Sequence, residues 1–376
     1  MIDFSLTEAD ARLVALAKEE AAIAHRYARH YDLSETLIEP LELPEAKDRP
    51  DPLQVLGETV AQTSGAQIAN VLLVLEFADP RMRRNQALGL GSKIVEADGS
   101  EEQKQRFRNK TLAIAITEPG AGSDPRSVRT SARLDPKTNE WVLNGEKIYC
   151  SYFEGADGVL VIARGSEEGE KFLAFVIEKG TPGLVDARQV RKMGIRAWDT
   201  KDFFLRDCRV PEANRIDVDF KRTMASFNGN RPRIAAMALA ISWDLIEFTR
   251  AQLAGTGSDA APLSAEIEYR LARLEALHEA ARLTVLRSKW TEQRDGTASA
   301  STMVEAAMSK AIGGAAARQI SQECMAMLGH LAVSEEFLAE KWFRDARIFD
   351  IFEGTGEINR LIVARAVLGY SARELG

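Results

Sequence analysis

The spacing of apolar residues changes character twice along the chain. From Leu6 to about Ala28, Ala, Leu, Glu and Arg dominate with few breakers, which favours helix. Residues from about Ile38 to Pro52 are rich in Pro, Glu and Asp and predict a loop, and a further helical region is expected from about Pro52 to Glu96. Ser100-Glu-Glu-Gln103 follows Gly99 with capping-box spacing, so a helix is expected to start there and run towards Asn109.

From Thr111 the pattern becomes strand-like. Thr111–Thr117 is short, apolar and carries β-branched residues, and Trp141–Tyr149 holds an Asn144-Gly145 turn signal between strand-like flanks. Gly158–Ala163 and Lys171–Ile177 are apolar runs between Gly-rich or charged turns, and Phe203–Val210 ends at Pro211. Short strands this close together, with no helices between them, predict a small antiparallel β domain.

Beyond about Asp219 the helical period returns. Ile267, Leu271, Leu274, His278, Ala281 and Val285 recur at steps of three and four, one face of a long helix. Thr355 is placed to cap a last helix carrying Ile358, Leu361, Ile362 and Leu368, with Gly369 at its end. The expected class is therefore α+β: an N-terminal helical domain (1–110), a middle antiparallel β domain (111–218) and a C-terminal helical bundle (219–376).

Composition narrows the function by exclusion. The chain has 376 residues, 45% hydrophobic and 28% charged, with a formal net charge of -7, which suits a soluble globular protein and argues against a general nucleic-acid binder. Three distant cysteines, Cys150, Cys208 and Cys324, give neither a disulfide framework nor a metal pair. His25, His30, His278 and His330 show no ligand spacing, so no metal is expected, and no GxSxG elbow supports a serine hydrolase. With no basic-then-apolar leader and no run able to span a bilayer, a reducing cytoplasm is the expected compartment.

Three segments carry chemistry. In Ile116-Thr-Glu-Pro-Gly-Ala-Gly-Ser-Asp124 the glycines let backbone approach a flat ring or a phosphate, and Thr117 and Ser123 offer hydroxyls. Composition alone fits a tight surface turn as well. In Phe343–Thr355, running on to Arg365, Glu353 lies between the apolar pair Ile351 and Phe352 and a Gly-Thr break. Partial desolvation there would raise its pKa and make it a better base, whereas an ordinary exposed carboxylate near a helix start is the plainer reading. The third segment is Phe227-Asn-Gly-Asn-Arg-Pro232, ahead of the Ala-rich stretch from Ile234.

Taken as strings, these segments resemble the signatures of the acyl-CoA dehydrogenases, and the likeness extends from about Gly99 to Gly369. Asn144–Ser151 resembles the strand that lays an aromatic and a hydroxyl on the flavin, with Tyr149 and Ser151 where many relatives have Trp and Thr. The resemblance implies an acyl-CoA dehydrogenase-like fold and FAD as cofactor, held by Ile116, Thr117, Gly122, Ser123, Tyr149, Ser151, Thr355 and Glu357. It implies substrate contacts from Ser123, Asn228, Arg231 and Gly354. It also implies Glu353 as the base that takes the pro-R α-proton while hydride passes from the β-carbon to flavin N5, the thioester carbonyl being polarised by the Glu353 N–H and a ribityl hydroxyl.

The implied partners are an acyl-CoA and an electron-transfer flavoprotein or similar acceptor, with no nucleic acid and no membrane span. Two departures bear on assembly. Residues 254–262 lack the family's Arg and Phe, and Ala326–Ala332 keeps one glycine of a GGxG turn, both being elements that reach a neighbouring subunit's flavin. A homo-oligomer (dimer or tetramer) and a heterotetramer with a homologous subunit both remain open. So do two other activities, a non-catalytic subunit and a related flavin oxidase.

Overall fold

A computed structural model describes residues 5–34, 55, 58–76, 89–165, 172–255, 262–371 and 374. The whole predicted loop at 38–52, residues 77–88 of the predicted helical region and residues 256–261 lie outside the described residues. The chain forms two compact units. One comprises Met1–Arg84, Met193–Ala197 and Phe227–Gly376; the other comprises Asn85–Lys192 and Trp198–Ser226.

The first unit is helical. Its described helices are α1 (Glu8–Ser34), α2 (Ala66–Leu75), most of α5 (Phe220–Ala254), α6 (Ala265–Asp295), α7 (Ala300–Leu328), α8 (Ala339–Ala346) and α9 (Gly356–Leu368). Leu13, Ala17, Ala21 and Ala24 of α1 bury against Ala69 and Leu73 of α2, a face spaced by threes and fours. On α6 the predicted stripe is buried at Leu271, Leu274, His278, Ala281 and Val285, while its first member, Ile267, is half-buried. His278 packs in that stripe, with Nε2 3.2 Å from the Leu239 carbonyl. Thr355 caps α9 as expected, its hydroxyl accepting from the Ile358 N–H, and Gly369 ends the helix in the left-handed conformation.

The second unit is built on an eight-stranded sheet in the order β6-β7-β3-β2-β4-β5-β8, with β1 paired to β4. The strands are β1 (Leu112–Ala115), β2 (Ser131–Asp135), β3 (Glu140–Ser151), β4 (Gly158–Gly165), β5 (Phe172–Glu178), β6 (Leu184–Gln189), β7 (Thr200–Pro211) and β8 (Arg215–Ile216). Helices α3 (Leu90–Asp98) and α4 (Glu101–Phe107) belong to this unit, and Ser100 and Gln103 form the predicted reciprocal cap of α4. Successive β4 residues face opposite clusters. Val159 and Val161 join Phe153, Phe175 and Phe203 on one side, while Leu160 and Ile162 join Ile94, Phe107 and Val176 on the other. Burial of both faces explains why β4 is uniformly apolar instead of alternating.

Three local expectations change. The sheet is largely antiparallel but mixed, because β4 runs parallel to both β1 and β2. Helix α5 begins at Phe220, seven residues before Phe227, and carries Pro232 inside it. Asn144-Gly145 makes no hairpin turn; it lies within β3, where the register against β7 shifts between Leu143 and Gly145. The signal is local, and the Asn144 side chain instead bonds across the sheet, Oδ1 accepting from Asp207 N at 2.8 Å and Nδ2 donating to Asp207 Oδ1 at 3.1 Å. Glycine is required beside it, since a Cβ on Gly145 would lie 2.4 Å from Thr130 Oγ1 and 2.8 Å from its Cα. Replacing Gly145 with Ala should therefore cost about 1–3 kcal/mol through overpacking, checked as a lowered thermal midpoint.

Candidate active site

Glu353 follows a short 3-10 turn at Ile348–Asp350 and adopts a left-handed backbone, φ 59°, with Gly354 next to it at φ 90°. A non-glycine residue in that region is strained and persists only when its surroundings hold it. Here three helices of the unit hold it. Arg231 on α5 donates Nε–H to the Glu353 carbonyl (3.3 Å), Lys310 on α7 donates to the Gly354 carbonyl (3.2 Å), and Asn359 on α9 donates Nδ2–H to the carbonyls of Gly354 (2.8 Å) and Thr355 (2.9 Å). The carboxylate itself accepts from Asn230, Nδ2 to Oε1, at 2.7 Å.

The stretch of α5 that grips Glu353 is fixed from behind. Asn228 Oδ1 accepts from Arg231 at 3.3 Å and its Nδ2 donates to the Thr297 carbonyl at 3.2 Å. Buried Lys289 donates to the Gly229 carbonyl (2.6 Å) and to Glu292 (2.6 Å), whose other oxygen accepts from Thr297 (2.8 Å). Pro232 within α5 provides no N–H for the Asn228 carbonyl, which loosens the helix here, and the side chains of Lys289 and Asn228 tie this stretch to its surroundings. Burial pushes the pKa values of Arg231 and Lys289 down, in each case against the pull of a nearby carboxylate. Lys310, buried to 0% exposure, is pushed down to about 8 by desolvation, which outweighs the attraction of Asp350 and Glu353.

The second unit presents the segment Ile116–Asp124 on an ion pair beneath it. Fully buried Lys147 donates to Glu118 Oε1 (2.6 Å) and to the Ile116 carbonyl (2.9 Å). Glu118 also accepts from the N–H groups of Arg129 (2.6 Å) and Thr130 (3.0 Å) and from the Thr130 hydroxyl (2.6 Å). With its lower half tied down, the segment exposes Gly122 and Ser123, and no atom lies within 4 Å of where a Cβ on Gly120 or Gly122 would sit. On β3, Tyr149 is 60% exposed at φ 58°, its N–H donating to Asp202 (2.8 Å), and Ser151 is half-buried. Open backbone, available hydroxyls and an exposed aromatic face make a donor set that fits a flat, phosphate-bearing cofactor such as a flavin nucleotide.

The candidates thus fall on both units. Ile116, Thr117, Gly122, Ser123, Tyr149 and Ser151 share the sheet unit; Asn228, Arg231, Glu353, Gly354, Thr355 and Glu357 share the helical one. Arg231 and Gly354 join the Glu353 turn directly, Asn228 supports it through Arg231, and Glu357 is exposed on the first turn of α9. The sequence reading missed Asn230, Lys310 and Asn359. Asn230 stood inside the quoted Phe227–Pro232 string, whereas Lys310 and Asn359 gave no local signal.

Comparison with known proteins gives the family. Residues 113–208 match the family model of the acyl-CoA dehydrogenase middle domain, and residues 220–368 match that of the C-terminal domain. An acryloyl-CoA reductase (NADH) of Anaerotignum propionicum is 32% identical over 327 residues, covering 81% of each chain. The chain belongs to the acyl-CoA dehydrogenase family. Its fold superposes on butyryl-CoA dehydrogenase from Megasphaera elsdenii with a TM-score of 0.83 and 25% identity, over 98% of this chain and 100% of that one. An acyl-CoA dehydrogenase from Bacillus anthracis, solved in complex with FAD, gives a TM-score of 0.73 and 26% identity, over 96% of this chain and 64% of that one. As a family member the chain is an oxidoreductase acting on CH–CH bonds, with the helical, β and helical regions in that order. Among the described residues no helix is long and apolar enough to cross a membrane, and no group of three or more His, Cys, Asp or Glu side chains is placed to hold a metal.

The depressed Lys310 pKa has a consequence for stability. The unfolded chain holds this proton up to about pH 10.5 and the native one only to about 8, so this group's contribution rises as pH climbs through that window. Urea unfolding of the parent and of Lys310→Met at pH 7 and pH 10 should show the parent gaining on the variant by roughly 3 kcal/mol at the higher pH.

Proposed function

We propose that the chain catalyses α,β-dehydrogenation of an acyl-CoA thioester with Glu353 as the base. The observation that carries this reading is the Glu353 turn, whose backbone is gripped by Arg231, Lys310 and Asn359 and whose carboxylate is met by Asn230. Strain at a non-glycine residue held by so many donors fits a position selected for what its side chain does. Glu353 accepts the α-proton, its backbone N–H polarises the thioester carbonyl, and Ser123, Asn228, Arg231 and Gly354 line the substrate. An α-proton is acidic enough for a carboxylate only when the developing enolate charge is met by fixed donors.

The cofactor is FAD, held by Ile116, Thr117, Gly122, Ser123, Tyr149, Ser151, Thr355 and Glu357. When bound, FAD supplies the acceptor for the hydride that leaves the β-carbon. The electrons then leave through an electron-transfer flavoprotein or similar carrier. We further assign three domains, 1–110, 111–218 and 219–376, in line with the separate matches of the middle and C-terminal models. The departures at 254–262 and 326–332 support a second reading of the assembly, in which an unlike homologous subunit completes the flavin site.

Replacing Glu353 with Gln should keep flavin and acyl-CoA binding and lower turnover by at least about 100-fold, the usual weight of a general base. Normal turnover by that variant would remove Glu353 from the role. The flavin absorbance of the chain expressed alone and gel-filtered tests the assembly. About one FAD per chain is expected of a self-sufficient homo-oligomer, and a substoichiometric spectrum restored by co-expression with a homologue is expected of the heteromer.

A further inference from the structure

Two consecutive residues of α5 divide the work on Glu353. Arg231 takes its backbone carbonyl, and Asn230 takes its carboxylate. The carboxamide orientation follows from charge, since an ionised carboxylate only accepts hydrogen bonds and the atom facing Oε1 must be the donor nitrogen. We propose that Asn230 is a positioning residue for the base, fixing the Glu353 carboxylate in one orientation and favouring its charged, proton-accepting form. The inference rests on the assignment of Glu353 as the base.

The physical case has two parts. A half-buried glutamate has three side-chain torsions to settle, and the 2.7 Å bond to a residue on a separate, well-anchored helix settles them before substrate arrives. A hydrogen bond donated to a carboxylate also stabilises the ionised state. Arg231 from α5 and Lys310 from α7 act on Glu353 by charge, and Asp350 from the preceding 3-10 turn and Glu357 from α9 act in turn on Lys310. Arg231 donates to the Glu353 carbonyl and to Asn228, and Lys310 donates to the Gly354 carbonyl. Asn230, by contrast, donates to the carboxylate itself. Its support is independent of Glu353, because Lys289 and Thr297 hold the neighbouring Gly229 and Asn228.

Exchange of the α-hydrogen of a saturated acyl-CoA with D2O, followed by mass spectrometry without an electron acceptor, reads proton abstraction apart from net oxidation. The holoenzyme would be compared with Asn230→Leu, which removes the donor at similar size, and Asn230→Asp, which keeps the shape but replaces the donor with a second carboxylate. The pH midpoint of exchange should rise by about one unit in the Leu variant and further in the Asp variant. Well below the midpoint, exchange by the Leu variant should be about tenfold slower than by the parent. A role confined to stability would lower the melting temperature and leave the midpoint in place. Glu353→Gln is the control: exchange surviving in it overturns the base assignment itself. If that control is silent while the parent and the folded Asn230 variants share one midpoint, the positioning role fails and the base assignment stands.

Discussion

The left-handed pair Glu353 and Gly354 is the constraint on which the helical unit's chemistry depends. Placing a non-glycine residue there costs on the order of 1–3 kcal/mol. Against that stand the bonds from Arg231, Lys310 and Asn359 to the turn's carbonyls, two of them from cationic donors. Bonds to charged groups are worth about 1.5–3 kcal/mol each and neutral ones about 1, so the surroundings outweigh the strain. The turn is thereby fixed by α5, α7 and α9 together, and a shift in any one of them is felt at the carboxylate.

The same economy recurs in the sheet unit. The segment that exposes Gly122 and Ser123 has no regular structure of its own beyond a single bridge between Glu118 and Ala121. Its position is inherited from the buried Lys147–Glu118 pair and from the backbone donors around Glu118. Burial alone would push the Lys147 pKa down and that of Glu118 up. Lys147 is indeed pushed down to about 8, while the hydrogen bonds Glu118 receives hold its carboxyl below the usual range. In both units a buried cation donates to a backbone carbonyl of the segment that carries the candidate residues, Lys310 to Gly354 and Lys147 to Ile116.

This division suits an enzyme whose redox chemistry belongs to a cofactor. The chain's task is to present donors, hydroxyls and one carboxylate in fixed positions, and fixed positions come from helices and strands anchored at several points. On β3 the exposed Tyr149 ring and the half-buried Ser151 give that surface an aromatic face and a hydroxyl.

The order of helical, strand and helical regions was legible because each depends on the period of burial within one element. The α6 stripe, the Ser100–Gln103 box and the Thr355 cap were visible for the same reason, since the interacting groups lie within four residues of one another. The three short signatures were legible as strings, which marked Glu353 and the Ile116–Asp124 segment. What depends on distant partners was not. Asn144-Gly145 carries a hairpin signal, yet Asp207 and Thr130 make it a bulge in β3. Helix α5 continues past Pro232, where propensity would break it, because the stretch Ile234–Ile241 beyond it is buried. Lys310 is not unusual as a residue, and only the packing of helices turns it towards the strained turn, whereas Asn359 meets carbonyls four and five residues before it at the start of its own helix. The sequence by itself determined the order of helical and strand regions and the family, and it marked Glu353 as a candidate; the tertiary structure decided that Asn230, Arg231 and Lys310 meet at the Glu353 turn, because hydrogen bonds between distant segments leave no periodic trace in a chain.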